Sequence, residues 1–402
     1  MLRVSVDKIE PGMVLARPIC LPDEPGRYLL QRDVEIPPGV AQRLKRWGIV
    51  DVWIRYRQLE FLEEMIDEDL GDRQREVYRH VRKNFEQIMS GSTIELDLNR
   101  FSASIGELFG YLKRNPTGNL LLDKLDSFDN YLMSHSANVC YLALMLGMRL
   151  ERYLIAERTF KTARDAKDLQ LLGLGMLLHD VGKMRIPPAI LNKPGKLTAE
   201  ELEVIRTHPT VGYEMVRQAV PATASQVVLN HHQRWDGRGY PARRDARTGQ
   251  TLPPLAGRQI PVFSRIATVV DVYDAATTNR CYSAAKPAVQ VLHEMRTICR
   301  GFFDPVVEQA FYEIVPPFPI GKAVVLSNGA EAVVVDFNAR FPVRPKVQLL
   351  RHPNGEKIAD PAGEEIDLSI YPELNVASID GVDVQPYLAG QQVGSSAEAA
   401  LA

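Results

Sequence analysis

Between residues 131 and 315 the chain runs through apolar, helix-patterned stretches, most of which reach a histidine or an aspartate. They are NVCYLALMLGMRL, DLQLLGLGMLLHD, EELEVIRTH, SQVVLNHH, SRIATVVDVYDAATT and AVQVLHEMRTI. Few strand-like runs interrupt them, so their apolar faces are best buried against one another, which predicts a helical bundle. Thr198, with Glu201 three residues on, predicts a capping box at the start of a helix that ends near His208. A carboxylate inside a run as apolar as IATVVDVYDAATT needs a strong partner. Asp271, Asp274 and Thr278 stand at i, i+3 and i+7, on one face of that helix.

The chain has only eight histidines, and five of them (His135, His179, His208, His231 and His232) lie between 135 and 232. Histidine is the commonest side-chain metal ligand and a common general base. His135 is expected to open a helix, His208 to close one, and His179-Asp180 and His231-His232 to end two more. Alone, each has a bland reading, such as a histidine complementing a helix C-terminus. Together with Asp271 they can converge in a bundle core. A mixed nitrogen and oxygen set suits iron, manganese or zinc rather than calcium. More than four such ligands suggests two metals bridged by a carboxylate, for which Asp180 is the candidate. Such a pair would activate water and neutralise phosphate oxygens during in-line attack on phosphorus.

Two further features stand beside this set. Lys183 follows Asp180 on a glycine-containing turn that reads as flexible, where it would meet a phosphate as a point charge or simply sit in solvent. In HHQRWDGRGYP (231–241), Gly237 and Gly239 allow close approach of backbone to a ligand. Trp235 and Tyr240 can stack or donate a hydrogen bond, and Pro241 stiffens the exit. Read without its neighbours the stretch is an ordinary surface turn.

Elsewhere the chain changes character. Residues 1–57 read as a small α/β unit with strand-like RVSV and DVWIRY around helical VAQRLKRWG. Residues 58–130 are polar and helix-friendly, the composition of an exposed helix or linker. Residues 316–385 are β-rich, with hairpin signals at Asn328-Gly329 and Asn354-Gly355, and 386–402 read as a disordered tail. Lys plus Arg (48) nearly balances Asp plus Glu (50), so bulk charge gives no support to binding long nucleic acid or anionic lipid. No apolar run approaches the roughly 18–20 residues of a membrane span. Four scattered cysteines without a CxxC pair argue against a disulfide framework or zinc ribbon. With an N-terminus unlike a signal peptide, these point to a cytoplasmic protein.

HHQRWDGRGYP, together with LLHDVGK (177–183), resembles the signature of the HD-GYP domain family. Supporting pieces follow in family order: SHSANV around His135, LNKPGKLT at 191–198, RTHPTVGYE at 206–214, IPVFSRI at 260–266, DVYDAATTNR at 271–280 and FDP at 303–305. The resemblance covers 131–315. Residues 1–57 more loosely resemble a small domain of unknown function found ahead of some HD-GYP domains. The resemblance implies a mainly α, helical-bundle HD-type phosphohydrolase domain, flanked by the small α/β domain and the β-rich segment. It implies a metal-dependent phosphodiesterase of cyclic di-GMP, yielding the linear dinucleotide or GMP. The family's metal ligands fall on His135, His179, Asp180, His208, His231, His232 and Asp271. Its phosphate-contacting lysine falls on Lys183, a substrate-contacting arginine on Arg280, and the GYP loop on Gly239, Tyr240 and Pro241. Members with three metals carry a glutamate where this chain has Tyr131, so two divalent ions are expected, iron or manganese, with zinc as the alternative. Where the family continues its arginine as R-P-Y and a basic residue, this chain reads Arg280-Cys281-Tyr282-Ser283, which bears on substrate preference. A phosphodiesterase of another cyclic dinucleotide, or a weakly active module acting through ligand or protein contacts, remains open. Expected partners are cyclic di-GMP, signalling proteins at the GYP loop or residues 1–57, and a second copy in a homodimer.

Overall fold

The computed structural model describes residues 1–20, 28–46, 49, 51–56, 59–62, 73, 76–83, 98–114, 131–245, 247–278, 285–358 and 364–388. In the N-terminal unit β1 (Leu2–Ser5) pairs antiparallel with β4 (Asp51–Ile54), and β2 (Ile19–Cys20) with β3 (Tyr28–Leu30). Helix α1 (Val40–Arg46) packs Val40 and Leu44 over Val4, Val6, Leu15, Ile36 and Val52.

The bundle is built around α3 (Tyr131–Arg149), whose residues 133–146 are almost all buried. Against it pack α4 (Gln170–Leu178), α8 (Val262–Thr277) and α10 (Pro305–Ile314). The capping box is present: Thr198 Oγ1 accepts from Glu201 N, and Glu201 returns a carboxylate to Thr198 N, starting α5 (Ala199–Ile205). His208 does not close that helix; it opens the next, α6 (His208–Val216), after a short turn. Helix α7 (Ala222–Asn230) follows, and α9 (Ala288–Thr297) lies between α8 and α10 in sequence. Glycine sets how closely the bundle closes. A Cβ on Gly175 of α4 would stand 2.6 Å from Val227 of α7, so only glycine permits this approach.

The polar stretch 58–130 is not simply a spacer. Within it α2 (Leu98–Arg114) buries Phe101, Ile105, Leu108 and Leu112 in the same core as α3 and α4. Their spacing of three to four residues is the apolar stripe of an amphipathic helix. The strongly charged run ahead of it, 60–86, dominates the composition of 58–130 and conceals that stripe.

Six strands form an antiparallel sheet in the order β10-β9-β8-β7-β11-β12. They are β7 (Ala323–Leu326), β8 (Glu331–Asp336), β9 (Lys346–Arg351), β10 (Glu365–Asp367), β11 (Val376–Ile379) and β12 (Val382–Asp383). β7 and β8 are joined at Asn328-Gly329, with Gly329 at φ +89° as the turn requires. At Asn354-Gly355 the chain also turns back: Arg351 bridges Lys357, Ile358 N donates to Leu350 O (3.2 Å), and β9 pairs antiparallel with β10, the next strand. The sheet and the N-terminal unit are joined. Arg3 N donates to Gly321 O (3.0 Å), and Asp51 accepts from both Arg3 and Lys322 (3.0 and 2.7 Å). Met1, Ala16, Leu59 and Leu62 share a core with Phe318, Ile320 and Val334. The tail 389–402 lies outside the described residues.

If α2 belongs to the bundle, Ile105→Ala should destabilise it by about 2–5 kcal/mol, the cost of emptying a core site. Denaturant unfolding would measure this; a change below about 0.5 kcal/mol would return the segment to a linker role.

Candidate metal centre

Three histidines are oriented by one local rule. At the end of α4, His179 Nδ1 bonds the Met176 carbonyl at 2.7 Å; after α5, His208 Nδ1 bonds the Ile205 carbonyl at 2.8 Å. At the end of α7, His231 Nδ1 bonds the Val228 carbonyl at 2.8 Å. A helix leaves its last carbonyls without partners, and here the ring three residues on satisfies one of them. Because a carbonyl only accepts, Nδ1 carries the proton and Nε2 turns its lone pair inward. His135, in the second turn of α3 rather than at its start, is oriented differently: its Nδ1 meets Asp274 Oδ2 at 2.7 Å.

The inward-facing atoms surround Asp180, which is fully buried. Its Oδ2 stands 3.4 Å from His179 Nε2 and 3.8 Å from His135 Nε2. Asp271 Oδ1 completes that side, 3.0 Å from His135 Nε2 and 3.8 Å from His179 Nε2. Asp180 Oδ1 faces the other side, 3.2 Å from His208 Nε2 and 3.9 Å from His231 Nε2. His232 joins this side, its Nδ1 3.6 Å from Asp271 Oδ2. His135, His179, Asp180, His208, His231, His232 and Asp271 are thus brought together as two half-sites that share Asp180.

Electrostatics sharpen the picture. Burial and the neighbouring imidazoles hold His231 well below its ordinary value, and burial brings His232 down to about 3, so both are neutral. Burial opposes ionisation of Asp180, but the Lys183 ammonium beside it holds its carboxyl well below the usual range. Burial likewise opposes ionisation of Asp271, and the hydrogen bond from His135 reverses it. His208 Nε2 and His231 Nε2 stand 3.1 Å apart with lone pairs facing, beside Asp180 Oδ1, a buried oxygen with no hydrogen-bond donor. Three converging lone pairs with no proton among them repel unless a cation lies between them. The donor set therefore fits metal, and imidazole with carboxylate suits a transition ion.

Lys183 does not ride on a flexible turn. It lies in a 3-10 helix (Val181–Arg185), with Nζ 2.5 Å from Asp180 Oδ2. A Cβ on Gly182 would fall 2.0 Å from His208 O and 2.6 Å from Gly212 N, so backbone meets backbone here. That contact sets the spacing between Asp180 and His208. On the GYP loop, the Tyr240 ring stacks on His232, centroids 4.6 Å apart and planes at 26°. Gly239 has no room for a side chain, its Cβ direction ending 2.5 Å from His232 O. Pro241 contributes its carbonyl, which accepts from Gln233 Nε2 at 2.8 Å. Arg280 and Tyr282 lie outside the described residues, as does the Tyr131 side chain.

Three contributors escaped the sequence reading as site residues. Asp274 holds His135; its position one turn after Asp271 on the same face was the available signal. Gln233, 1% exposed, ties the loop to Leu255 N (3.0 Å) as well as to Pro241. Thr268 Oγ1 donates to the carbonyls of His231 (2.9 Å), Gln233 (3.2 Å) or Ser264 (2.9 Å), fixing the end of α7 against α8. Nothing in the sequence near Gln233 or Thr268 announces such a role.

Burial would lower His135, but Asp271 and Asp274 push it up to about 9, so the metal-free protein carries a proton on this ring. Loading metal at neutral pH should therefore release about one proton from this half-site, fading as pH rises through about 9. Calorimetric titrations in buffers of different ionisation enthalpy read the proton count directly. No release at pH 7.5 would show that His135 stays protonated and outside the coordination set.

With the geometry in place, comparison with known proteins becomes informative. Residues 142–307 match the model of the HD domain, and residues 323–381 that of a KOW domain associated with the HD domain. The chain is 35% identical over 256 residues to a cyclic di-GMP phosphodiesterase of Pseudomonas aeruginosa, covering 63% of this chain and 56% of that one. It is 36% identical over 180 residues to a cyclic di-GMP phosphodiesterase of Vibrio cholerae, covering 42% and 34%. A 3'3'-cGAMP-specific phosphodiesterase of the same organism is 34% identical over 139 residues, covering 34% and 24%. The chain thus spans from about a quarter to just over half of the length of these relatives. A solved HDGYP protein from Bdellovibrio bacteriovorus aligns over 77% of this chain and 97% of its own, with 16% identity and a TM-score of 0.47. Residues 142–307 are accordingly an HD domain, and the sheet behind it is a KOW domain of the kind that accompanies one.

Proposed function

We propose that the chain is a metal-dependent phosphodiesterase that hydrolyses cyclic di-GMP, first to the linear dinucleotide pGpG and then to GMP, in cytoplasmic bacterial second-messenger signalling. One observation carries this reading: a buried carboxylate whose two oxygens face two separate sets of imidazole nitrogens. Two divalent ions, iron or manganese with zinc as the alternative, would be held by His135, His179, Asp180 and Asp271 on one side and by Asp180, His208, His231 and His232 on the other. When bound, such ions activate water and neutralise phosphate oxygens. Asp180 spans both half-sites and so sets their separation. Lys183, beside Asp180 at the open edge of the cluster, meets the developing negative charge on phosphate. Tyr240 lies across His232 and walls the approach to it. Arg280 is assigned to substrate contact by the family pattern.

Another cyclic dinucleotide is the second reading, because the similar proteins of Vibrio cholerae include one named as specific for 3'3'-cGAMP. A binding-only module has no evident need for seven convergent donors. The GYP loop, residues 1–57 and a second copy of the chain are the surfaces proposed for protein contacts. Among the described residues no helix is long and apolar enough to cross a membrane.

Metal-loaded protein is expected to convert cyclic di-GMP to pGpG or GMP; no product with iron, manganese or zinc would sink the assignment. Competing cyclic di-GMP against 3'3'-cGAMP and comparing kcat/KM separates the two substrates. Lys183→Ala should lower kcat by about 10²–10³-fold, as for loss of one charge-stabilising donor, with metal content unchanged by elemental analysis. An unaltered kcat would remove Lys183 from the chemistry.

A further inference from the structure

The GYP loop does not end at Pro241. It continues into a two-stranded hairpin, β5 (Arg243–Arg244) paired with β6 (Thr251–Leu252). Between 234 and 247 there are five arginines against two aspartates, in a chain whose net charge is −2. Both aspartates are already engaged. Asp236 takes Arg234 and the backbone N–H of Arg238, and Asp245 closes the hairpin turn by accepting from the N–H groups of Arg247 (2.9 Å) and Thr248 (2.7 Å). Arg238, Arg243, Arg244 and Arg247 are all exposed. Arg243 donates to the Pro253 carbonyl at 3.1 Å, and none of the four forms an ion pair among the described residues.

The hairpin continues directly from the loop that carries Tyr240. Arg243 is three residues from Tyr240, a reach of at most about 11 Å along the chain, and Tyr240 is stacked on His232. Arg206 also holds its guanidinium 5.6 Å from the Tyr240 ring centroid, adding positive charge beside this tyrosine. Arg206 has an exposed partner, Glu203, in a surface pair of the kind worth little. Solubility alone would be served better by added carboxylates than by arginines.

We propose that Arg238 and the Arg243–Arg244–Arg247 hairpin form an electrostatic collar that draws the phosphodiester dianion to the mouth beside Tyr240. This rests on the cyclic-dinucleotide reading above and goes beyond it by assigning substrate capture to residues outside the ligand set. A collar of exposed charge acts through the summed field, so it raises the rate of encounter and leaves the chemical step alone. Its action weakens as salt shortens the Debye length.

The test uses the full-length, metal-loaded protein and the triple variant R243E/R244E/R247E, with cyclic di-GMP as substrate. At low ionic strength kcat/KM should fall by roughly tenfold or more, with kcat at saturation unchanged. The salt dependence of kcat/KM seen in the native protein should flatten in the variant. The charge-conserving R243K/R244K/R247K should behave as native, because steering depends on charge rather than on the guanidinium fork. Hydrolysis of bis(p-nitrophenyl) phosphate, a smaller monoanion, should change much less and so reports an intact metal centre. Native-like kcat/KM and salt slope in the triple glutamate variant would overturn the collar while leaving the catalytic assignment standing. A native protein that cleaved bis(p-nitrophenyl) phosphate but neither bound nor cleaved a cyclic dinucleotide would overturn both.

Discussion

A ring nitrogen returned to the carbonyl three residues behind it is the contact on which the metal centre depends. It occurs at His179, His208 and His231, at the ends of three different helices, and does two things at once. It gives a partner to a carbonyl that a terminating helix leaves open, and it commits the other ring nitrogen to present a lone pair. The bundle need only bring three helix ends together for three correctly ionised donors to face one carboxylate. Glycine at 175 and 182 makes that meeting close enough, because α4 and the 3-10 helix touch their neighbours through backbone. Both function and packing therefore depend on where helices stop, and stopping points are local properties of the chain.

This explains how far the sequence could be read. Helix-ending histidines and an aspartate in an apolar helix are visible in one dimension, and so was the set His135, His179, Asp180, His208, His231, His232 and Asp271. The capping box at Thr198 and the Asn328-Gly329 turn were legible for the same reason: each is closed within four residues. What stayed hidden depends on distant partners. Gln233 looks like any loop glutamine until Pro241 and Leu255 fold onto it. Gly182 looks like freedom until Gly212 and the His208 carbonyl fill the space its side chain would need. The apolar stripe of α2 was legible in principle but was outweighed by the charged run that precedes it in the chain.

The two half-sites are chemically unequal. One offers two carboxylates with His135 and His179; the other offers His208, His231 and His232 with only the shared Asp180. Harder ions favour carboxylate oxygen and softer ones favour imidazole, so the pair need not bind alike. Charge follows the same division. The cluster supplies only two carboxylates, so two divalent ions held there would bring an excess of positive charge that an overall balance of lysine, arginine and acid does not register.

The joint between β1 and the segment before β7 has a temporal meaning. Asp51 meets Lys322 across a sequence separation of 271 residues, and Arg3 meets Gly321 across a still longer one. As the ribosome releases the N-terminal unit first, Met1, Leu59 and Leu62 wait without the apolar surface that Phe318 and Ile320 provide. The HD domain has to emerge within that interval, and its Val289 on α9 joins the same core. Completion of the outer unit is therefore the late event of biosynthesis, and a contact of such long sequence separation is the kind that forms slowly.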